Sequence, residues 1–411
     1  MNEKTERVLR RKAMRLLVAG RKSGQILKQV GRSRAWLSKW RFRFAEEGTM
    51  GLQSQSRCPQ THPHGWNVEM RRLIVRTRKR LARAPAGLIG ARAIRSDLKR
   101  LMPRRGLPSE STIQRVLRQE GVIRSLPACP RVYWPAPVDE LDGSVDALDW
   151  TCRYLEGGQK VYAFHTLNLH TRQMHQTLAR DKTLNTAYAH VLDAWKTGGI
   201  PRFLQCDNDA VFCGGYQGAR LFGRFTRLCL WVGVELIFLP VAEPKRNGAV
   251  EQLNGLWGGP AFWERHRFQS FAHVCRLSPR FIDWYMHHYT PPSLKGTSPA
   301  HPLIREARPR LTAALARQIP DHLPITAGQV HFLRRVQPDG IVRILNEPWR
   351  VGTPLAGQYI WATLTTHRHT LDFWFRRNAQ RDWCLLKQVP YAIDEPIHKG
   401  IPCFANLFTM S

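Results

Sequence analysis

Hydrophobic side chains recur with a helical period in the first part of the chain. Within residues 8–47 the spacing predicts three short helices, the first two ending at Gly20 and Gly31. Ser33, a residue type that caps helix N-termini, precedes the third. The apolar positions that define the inward faces are Ala13, Leu16, Leu17, Ile26, Leu27, Val30, Leu37, Trp40 and Phe44. Short helices joined by a glycine-containing turn are typical of a helix-turn-helix, which we predict for residues 1–57.

A second helical module is predicted over residues 67–124. A linker rich in Pro and His, residues 58–66, separates it from the first module. Its inward positions are Met70, Leu73, Ile74, Leu81, Ile94, Leu98, Leu101, Ile113, Val116 and Leu117. Ser109 is placed to cap its last helix. A second helix-turn-helix is therefore predicted, followed by a Pro-rich linker at 125–143.

From residue 144 onward the pattern changes to strands. Three consecutive strands are predicted at 144–150, 160–169 and 174–178. Helices and strands then alternate, with helices predicted at 184–195, at 219–232, from 249 and at 271–288, and strands at 202–206 and 235–239. This order predicts an α/β core with a mixed sheet over residues 144–300. Short β-rich segments within 320–395 predict a small antiparallel β-barrel of the SH3-like kind.

Charge is distributed unevenly along the 411 residues. The chain carries 63 Lys and Arg against 31 Asp and Glu, a net charge of +32, and residues 1–124 alone contribute +23. Because repulsion of this size is relieved when a polyanion binds, double-stranded DNA is the predicted partner. The longest apolar stretch, residues 228–242, contains Glu235 and Pro240 and is too short to span a bilayer, so no membrane partner is expected.

The nine cysteines include no CxxC pair. An odd number without paired spacing argues against a disulfide framework and against a zinc ribbon. We therefore expect no zinc site and a reduced, cytoplasmic protein.

Basic side chains on two of the predicted helices are the candidate DNA contacts. They are Arg32, Arg34, Lys39, Arg41 and Arg43 on or beside the third helix, and Arg115 and Arg118 on the last helix of the second module. Seven Lys or Arg also occur within residues 71–83. Any small helical bundle has charged exterior positions, but the third helix carries no acidic residue before Glu46, which favours DNA binding.

Three carboxylates occupy places in the predicted core where a sheet could gather them. Asp149 lies at the end of the first predicted strand, Asp207 directly after the fourth, and Glu251 in the first turn of a helix. Oxygen ligands of this kind hold Mg²⁺, and two such ions can activate a nucleophilic oxygen and stabilise a leaving one. For each Asp alone, a turn or cap residue is the better interpretation, whereas the three carboxylates together indicate a metal site.

The sequence around these carboxylates resembles transposases of bacterial insertion sequences whose catalytic core is of the retroviral-integrase (DDE) kind. The matching motifs are Asp149-Trp150-Thr151, Asp207-Asn208, and Pro244 followed by Asn247-Gly248, Glu251 and Asn254. The resemblance implies an RNase H-like fold, with Asp149, Asp207 and Glu251 as catalytic ligands of Mg²⁺ or Mn²⁺, two ions in all. It also implies DNA cleavage and strand transfer at terminal inverted repeats, a target DNA, a homo-oligomer assembled on DNA, and a location with the bacterial nucleoid.

Two of the departures from this pattern bear on the site residues. Asp209 follows Asn208, where the family usually has Gly. In addition, 43 residues separate Asp207 from Glu251 and 35 separate it from Glu243, and the resemblance favours the shorter spacing. We nevertheless predict Glu251, because Glu243 precedes a proline and belongs to a loop, and a Gly-rich segment at 214–218 can absorb the extra length.

Two cations lie next to the predicted site, and two other functions are compatible with the sequence. Lys245 and Arg246 lie beside the predicted site and could hold a DNA phosphate, or they could simply be exposed loop residues. One rival function is a sequence-specific DNA-binding regulator with an inactive core. Another is a nuclease without strand transfer, which the tandem helix-turn-helix modules argue against.

Overall fold

The computed structural model describes residues 3–54, 66–84, 87–103, 106–123, 132–214 and 220–398. These residues belong to two compact units, Met1–Met70 and Arg71–Ser411. Most of the predicted linker at 58–66, the first part of the Pro-rich linker and most of the Gly-rich segment lie outside the described residues. Among the helices that are described, none has the length and apolar character needed to cross a membrane.

The first unit contains three helices at the predicted places. They are α1 (Glu3–Val18), α2 (Ser23–Val30) and α3 (Arg34–Glu47). Gly31 ends α2 in the left-handed conformation with φ of 64°, and the Ser33 hydroxyl caps α3 by accepting a 3.2 Å hydrogen bond from the Trp36 N–H. The predicted faces pack together, since Ala13, Ile26, Val30, Leu37 and Trp40 form the buried core with Met14 and Leu52. The helix positions are thus confirmed, and their assignment as a helix-turn-helix stays a prediction.

Three further helices follow, α4 (Val68–Ala82), α5 (Ala91–Leu101) and α6 (Glu110–Gln119). Ser109 caps α6 by accepting a 3.2 Å hydrogen bond from the Thr112 N–H, as predicted. Asp97 is 6% exposed and pairs with Arg80 and, at 2.7 Å, with Arg100. Part of the basic charge of residues 71–83 is therefore used within the protein.

A mixed sheet forms the centre of the second unit. After a short helix, α7 (Pro137–Glu140), come β1 (Val145–Tyr154), β2 (Lys160–Asn168), β3 (Met174–Ala179), β4 (Phe203–Cys206) and β5 (Glu235–Phe238). Strands β1, β2 and β3 pair antiparallel, while β4 pairs parallel to both β1 and β5. The predicted mixed α/β core is confirmed, and β1 ends four residues beyond the predicted end.

Helices cover both faces of this sheet. They are α8 (Leu184–Thr197), α9 (Ala210–Cys213), α10 (Arg224–Val232), α11 (Gly248–Trp257) and α12 (Phe271–Asp283), which continues as one wider turn, Trp284–His288. Side chains of α8, α9 and α10 pack with Leu148 and Phe164. Those of α11 and α12 pack with Ala147 and Ala163 on the opposite face. Successive strand residues point to opposite faces, which gives a three-layer arrangement.

The C-terminal strands extend the same sheet. After α13 (Ala313–Arg317) come β6 (Ile325–Thr326), β7 (Gln329–Arg335), β8 (Ile341–Ile344), β9 (Glu347–Arg350), β10 (Tyr359–Thr365), β11 (Thr370–Phe375), β12 (Cys384–Pro390) and β13 (Ile397–His398). Strand β7 pairs parallel to β5, so the sheet has nine strands in the order β12-β11-β10-β7-β5-β4-β1-β2-β3.

The prediction of a separate small barrel over 320–395 is therefore wrong, although the predicted β-rich segments do form strands. Five consecutive residues of β7, from Val330 to Arg334, are buried, as in a strand covered on both faces. Phe332 of β7 stacks on Phe238 of β5 with ring centroids 5.5 Å apart. Pairing with β7 also removes the open edge that β5 would otherwise present.

Candidate active site

The three predicted carboxylates line one cleft. Asp149, Asp207 and Glu251 face a space of about 340 Å³, together with Asp209 and the loop from Leu239 to Pro244. Strands β1 and β4 are parallel, and Ala147 pairs with Gln205. Asp149 and Asp207 each follow two residues later, so the same register brings them side by side. The sequence motifs thus select residues that the fold brings together.

Asp149 does not end β1 as predicted. The strand continues to Tyr154, paired with β2 throughout, whereas β4 ends at Cys206. Asp149 therefore lies where β1 loses its neighbour on one side, which opens the cleft. The longer strand is explained by β2, because continuous antiparallel pairing extends well beyond the apolar run that predicted the strand end.

Two hydrogen bonds hold the Asp149 carboxylate. Its Oδ1 accepts from the Trp150 N–H at 2.8 Å, and its Oδ2 accepts from Nδ2 of Asn254 at 2.8 Å. Burial, together with the negative charges of Asp207 and Glu251, raises the pKa of the Asp149 carboxyl to about 7. A cation bound between these groups would relieve both effects.

A buried hydrogen-bond chain orients Asn254 in turn. Its Oδ1 accepts from Nδ1 of His165 at 2.6 Å, and Nε2 of His165 accepts from Nε2 of Gln176 at 2.7 Å. Burial lowers the pKa of His165 to about 4, so its imidazole is neutral at pH 7. The sequence predicted no role for His165 or Gln176. The β1–β2 register pairs Asp149 with His165 and so reveals this hydrogen-bond chain.

Asp207 begins a tight turn after β4. Its Oδ1 accepts from the Asp209 N–H at 3.0 Å, and burial raises the pKa of its carboxyl. Asp209 itself caps α9 by accepting from the Val211 N–H at 3.0 Å and pairs with Lys182 at 2.9 Å. The Asp at this position thus has a local explanation, since Asp209 is a helix cap with its own cation.

Glu251 is carried by the first turn of α11. Asn247, which precedes the helix and is 4% exposed, accepts from Nε2 of Gln205 at 2.9 Å and donates to the Leu148 carbonyl at 3.3 Å. The helix start is therefore tied to both β4 and β1. Burial raises the pKa of the Glu251 carboxyl, and the charge of Asp207 raises it further.

Glu243 and Arg246 are held by the C-terminal part of the sheet. Nε of Arg246 donates to Oε2 of Glu243 at 3.2 Å, its NH2 group donates to the Tyr359 hydroxyl at 2.6 Å, and that hydroxyl donates to Glu243. Glu243 does lie in a loop, as predicted, but Arg246 and Tyr359 hold its side chain in place. Arg246 is largely occupied within the protein, because its guanidinium also lies 4.7 Å from the Trp134 ring centroid. Lys245, the other predicted phosphate contact, is exposed.

The donor set of the cleft suits a hard divalent cation. The polar side chains among the lining residues are carboxylates and neutral amides, and their oxygens are ligands that Mg²⁺ and Mn²⁺ prefer. In the described part of the chain, no group of three or more His, Cys, Asp or Glu side chains is close enough together to hold a metal ion as it stands. The carboxylates line an open cleft instead.

The predicted DNA contacts fall into two groups. Those exposed on the surface are Arg34, Lys39, Arg41, Arg115 and Arg118. Arg32 and Arg43 have partners within the first unit, since Arg32 pairs with Glu6 at 2.5 Å and the Arg43 guanidinium lies 5.2 Å from the Trp40 ring centroid. The exposed group is the better placed to reach a polyanion.

Comparison with known proteins gives distant structural likenesses. No model of a known protein family matches the chain. The HTLV-2 integrase catalytic core domain, solved in complex with magnesium, is 13% identical over 38% of this chain and 92% of that one, with a TM-score of 0.28. A chain of the simian T-cell lymphotropic virus intasome, solved in complex with PP2A regulatory subunit B56 gamma, is 12% identical over 78% of this chain and 100% of that one, with a TM-score of 0.33. The catalytic core domain of BIV integrase is 11% identical over 38% of this chain and 90% of that one, with a TM-score of 0.25.

Proposed function

We propose that the protein is a metal-dependent DNA transposase or integrase, a polynucleotidyl transferase that cuts DNA at transposon ends and joins them to a target. The observation that carries this proposal is the cleft lined by Asp149, Asp207 and Glu251. The motifs containing these residues, and the mixed sheet that presents them, support an RNase H-like core. The resemblance to insertion-sequence transposases supplies the substrate class.

The protein's own groups have defined tasks in this chemistry. Asp149, Asp207 and Glu251 would hold two Mg²⁺ or Mn²⁺ ions, which would supply activation of the attacking oxygen and stabilisation of the leaving oxygen of a phosphodiester. The Trp150 N–H and Asn254 keep the Asp149 carboxylate aimed into the cleft, and the Asp209 N–H does the same for Asp207. Helix α11 presents Glu251 from the opposite wall. Water first displaces the 3′-oxygen of one phosphodiester, which leaves a 3′-hydroxyl and a 5′-phosphate. That 3′-hydroxyl then attacks a target phosphodiester and displaces the target's 3′-oxygen as a new hydroxyl, so no covalent enzyme intermediate forms.

The basic N-terminal part of the chain is proposed to bind the terminal inverted repeats. Residues 1–124 carry a net charge of +23, and the exposed cations of α3 and α6 lie on its helices. Lys and Arg of this kind neutralise DNA phosphates and position the protein on the duplex. Because two transposon ends must be joined in one reaction, the working form is proposed to be a homo-oligomer on DNA associated with the nucleoid.

A cleavage assay tests the proposed function directly. Duplexes carrying the DNA that flanks each side of the encoding gene are incubated with the protein and Mg²⁺, with Mn²⁺, and with EDTA. We expect metal-dependent nicks that leave 3′-hydroxyl ends, followed by their joining to an added target duplex. Failure of both metals to support cleavage would favour the DNA-binding regulator with an inactive core. Cleavage without joining would indicate a nuclease.

The exposed cations of α3 provide a test of DNA binding. Changing Lys39 and Arg41 together to Gln in the full chain should lower affinity for terminal-repeat DNA and reduce the slope of log affinity against log salt. The slope should fall by roughly 1.8, because each phosphate contact contributes about 0.9. Arg11 and Lys12, exposed on α1, provide a control pair with the same change in charge. Equal slopes for the two double variants would show that α3 makes no special contact with DNA.

A further inference from the structure

Arg334, on the C-terminal strand β7, is a buried cation held by neutral oxygens. It is 8% exposed, and in the described chain no carboxylate pairs with it. Its guanidinium donates to the carbonyls of Arg343 (3.1 Å), Phe238 (3.1 Å), Leu239 (2.9 Å) and Leu333 (2.9 Å) and to Oδ1 of Asn208 (2.8 Å). Burying a charge without a counter-charge costs free energy. These five directed hydrogen bonds offset that cost and keep the guanidinium in place.

The guanidinium keeps its charge in this setting. Burial lowers the pKa of Arg334 to about 10, which leaves it protonated at neutral pH. The carbonyls of Phe238 and Leu239 lie at the carboxyl end of β5, where the strand runs into the loop that borders the cleft. Arg334 therefore clamps the end of β5 from the neighbouring strand.

The same guanidinium reaches the turn that carries Asp207. Asn208 follows Asp207 directly, and its side chain is held at both ends. Oδ1 accepts from Arg334, and Nδ2 donates to the Leu239 carbonyl at 2.5 Å. Because that carbonyl also accepts from Arg334, the three groups form a closed triangle between β7, β5 and the residue after Asp207.

We propose that Arg334 is a positioning residue for Asp207, acting through Asn208. The triangle prevents rotation of the Asn208 side chain and so holds the adjoining backbone, which places the Asp207 carboxylate at a constant height above β4. The C-terminal strands thereby supply part of the candidate active site. This inference rests on the proposed function, because it treats Asp207 as a ligand of the divalent cation.

The planar shape of arginine is essential to this role. A guanidinium presents five N–H donors in a rigid fork and can bond acceptors on several sides at once. A lysine at the same position retains the charge but offers its donors from a single point, and it cannot reach both Asn208 and the β5 carbonyls. Arg334→Lys therefore separates the geometry from the charge.

Direct measurement of Mn²⁺ binding to the full chain, by electron paramagnetic resonance without DNA, tests this proposal independently of activity. Arg334→Lys and Asn208→Ala should each weaken Mn²⁺ affinity by about tenfold, the lower end of the effects that outer-shell partners have on metal sites. Arg335→Lys is the matched control, since Arg335 is exposed on the same strand and donates to the Gly357 carbonyl. It should change affinity by less than about twofold.

The double variant distinguishes positioning from a general loss of structure. If Arg334 acts through Asn208, Arg334→Lys combined with Asn208→Ala should bind Mn²⁺ about as weakly as either single variant. Losses that multiply would show two independent structural defects and overturn the proposal. Asn208→Ala alone keeps the test decisive if Arg334→Lys does not fold.

Two other outcomes separate this inference from the proposed function. Wild-type affinity in Asn208→Ala, with affinity lost in Asp207→Asn, overturns the role of Arg334 and leaves the metal site intact. A second outcome is that the wild-type protein binds no Mn²⁺, or binds it with an affinity that Asp207→Asn does not lower. The proposed metal-dependent function then fails together with the inference.

Discussion

Asp149→Asn and Asp207→Asn should each lower Mg²⁺-dependent DNA cleavage by at least about 10³-fold, equivalent to about 4 kcal/mol of activation barrier. Asn retains the shape of Asp and loses its charge, so each variant removes one anionic oxygen from the cleft. The amide oxygen of the new Asn can still accept a hydrogen bond, such as the one that Asn254 donates to Asp149. The loss should therefore reflect weakened metal binding rather than a collapsed site.

Cleavage and end binding must be measured side by side for these variants. Binding to terminal-repeat DNA should survive, because the two carboxylates carry no positive charge that could pair with phosphate. Asp193→Asn serves as the control, since Asp193 is an exposed carboxylate on α8. Wild-type cleavage by either cleft variant would mean that the ligands are assigned wrongly. Loss of DNA binding together with cleavage would point to a folding defect instead.

Glu251→Gln should reduce cleavage by several orders of magnitude, whereas Glu243→Gln should cost less than about tenfold, or roughly 1.4 kcal/mol of barrier. Glu251 projects from a helix whose start is tied to the sheet by Asn247. Its charge is not already committed to a cation in the described structure. Glu243 is paired with Arg246 and Tyr359, so its negative charge is largely used inside the protein.

One cleavage assay on one terminal-repeat substrate compares the two glutamates. The Glu243 variant provides the control for the Glu251 variant, because both residues line the same cleft and both changes replace a carboxylate by an amide. Melting temperatures recorded in parallel should show a loss for Glu243→Gln, which weakens the contact with Arg246. The reverse order of the two cleavage rates would show that spacing along the chain, rather than the motif, identifies the third ligand.

Local sequence patterns determined where most elements lie and which carboxylates matter. Helical and strand periods depend on neighbouring residues only, so the end of α2, the start of α3 and the positions of β2 to β5 could be predicted. The three carboxylates could be named because Asp149, Asp207 and Glu251 sit in short motifs. Their meeting in one cleft also followed, in outline, from strands expected to share a sheet.

How distant segments join, and which charges remain available, depends on long-range contacts in the folded chain. The pattern of β7 is compatible with a strand in a barrel, and its pairing with β5 depends on an edge formed some ninety residues earlier in the chain. In the same way, the sequence around Glu243 and Arg246 predicts loop residues only, and their hydrogen bonds with Tyr359 are seen only in the folded chain. The β1–β2 register creates the Asn254–His165 chain, and β7 brings Arg334 to Asn208. Such contacts arise from long-range pairing and burial, and the free energy of a buried polar group depends on partners that local periodicity does not specify.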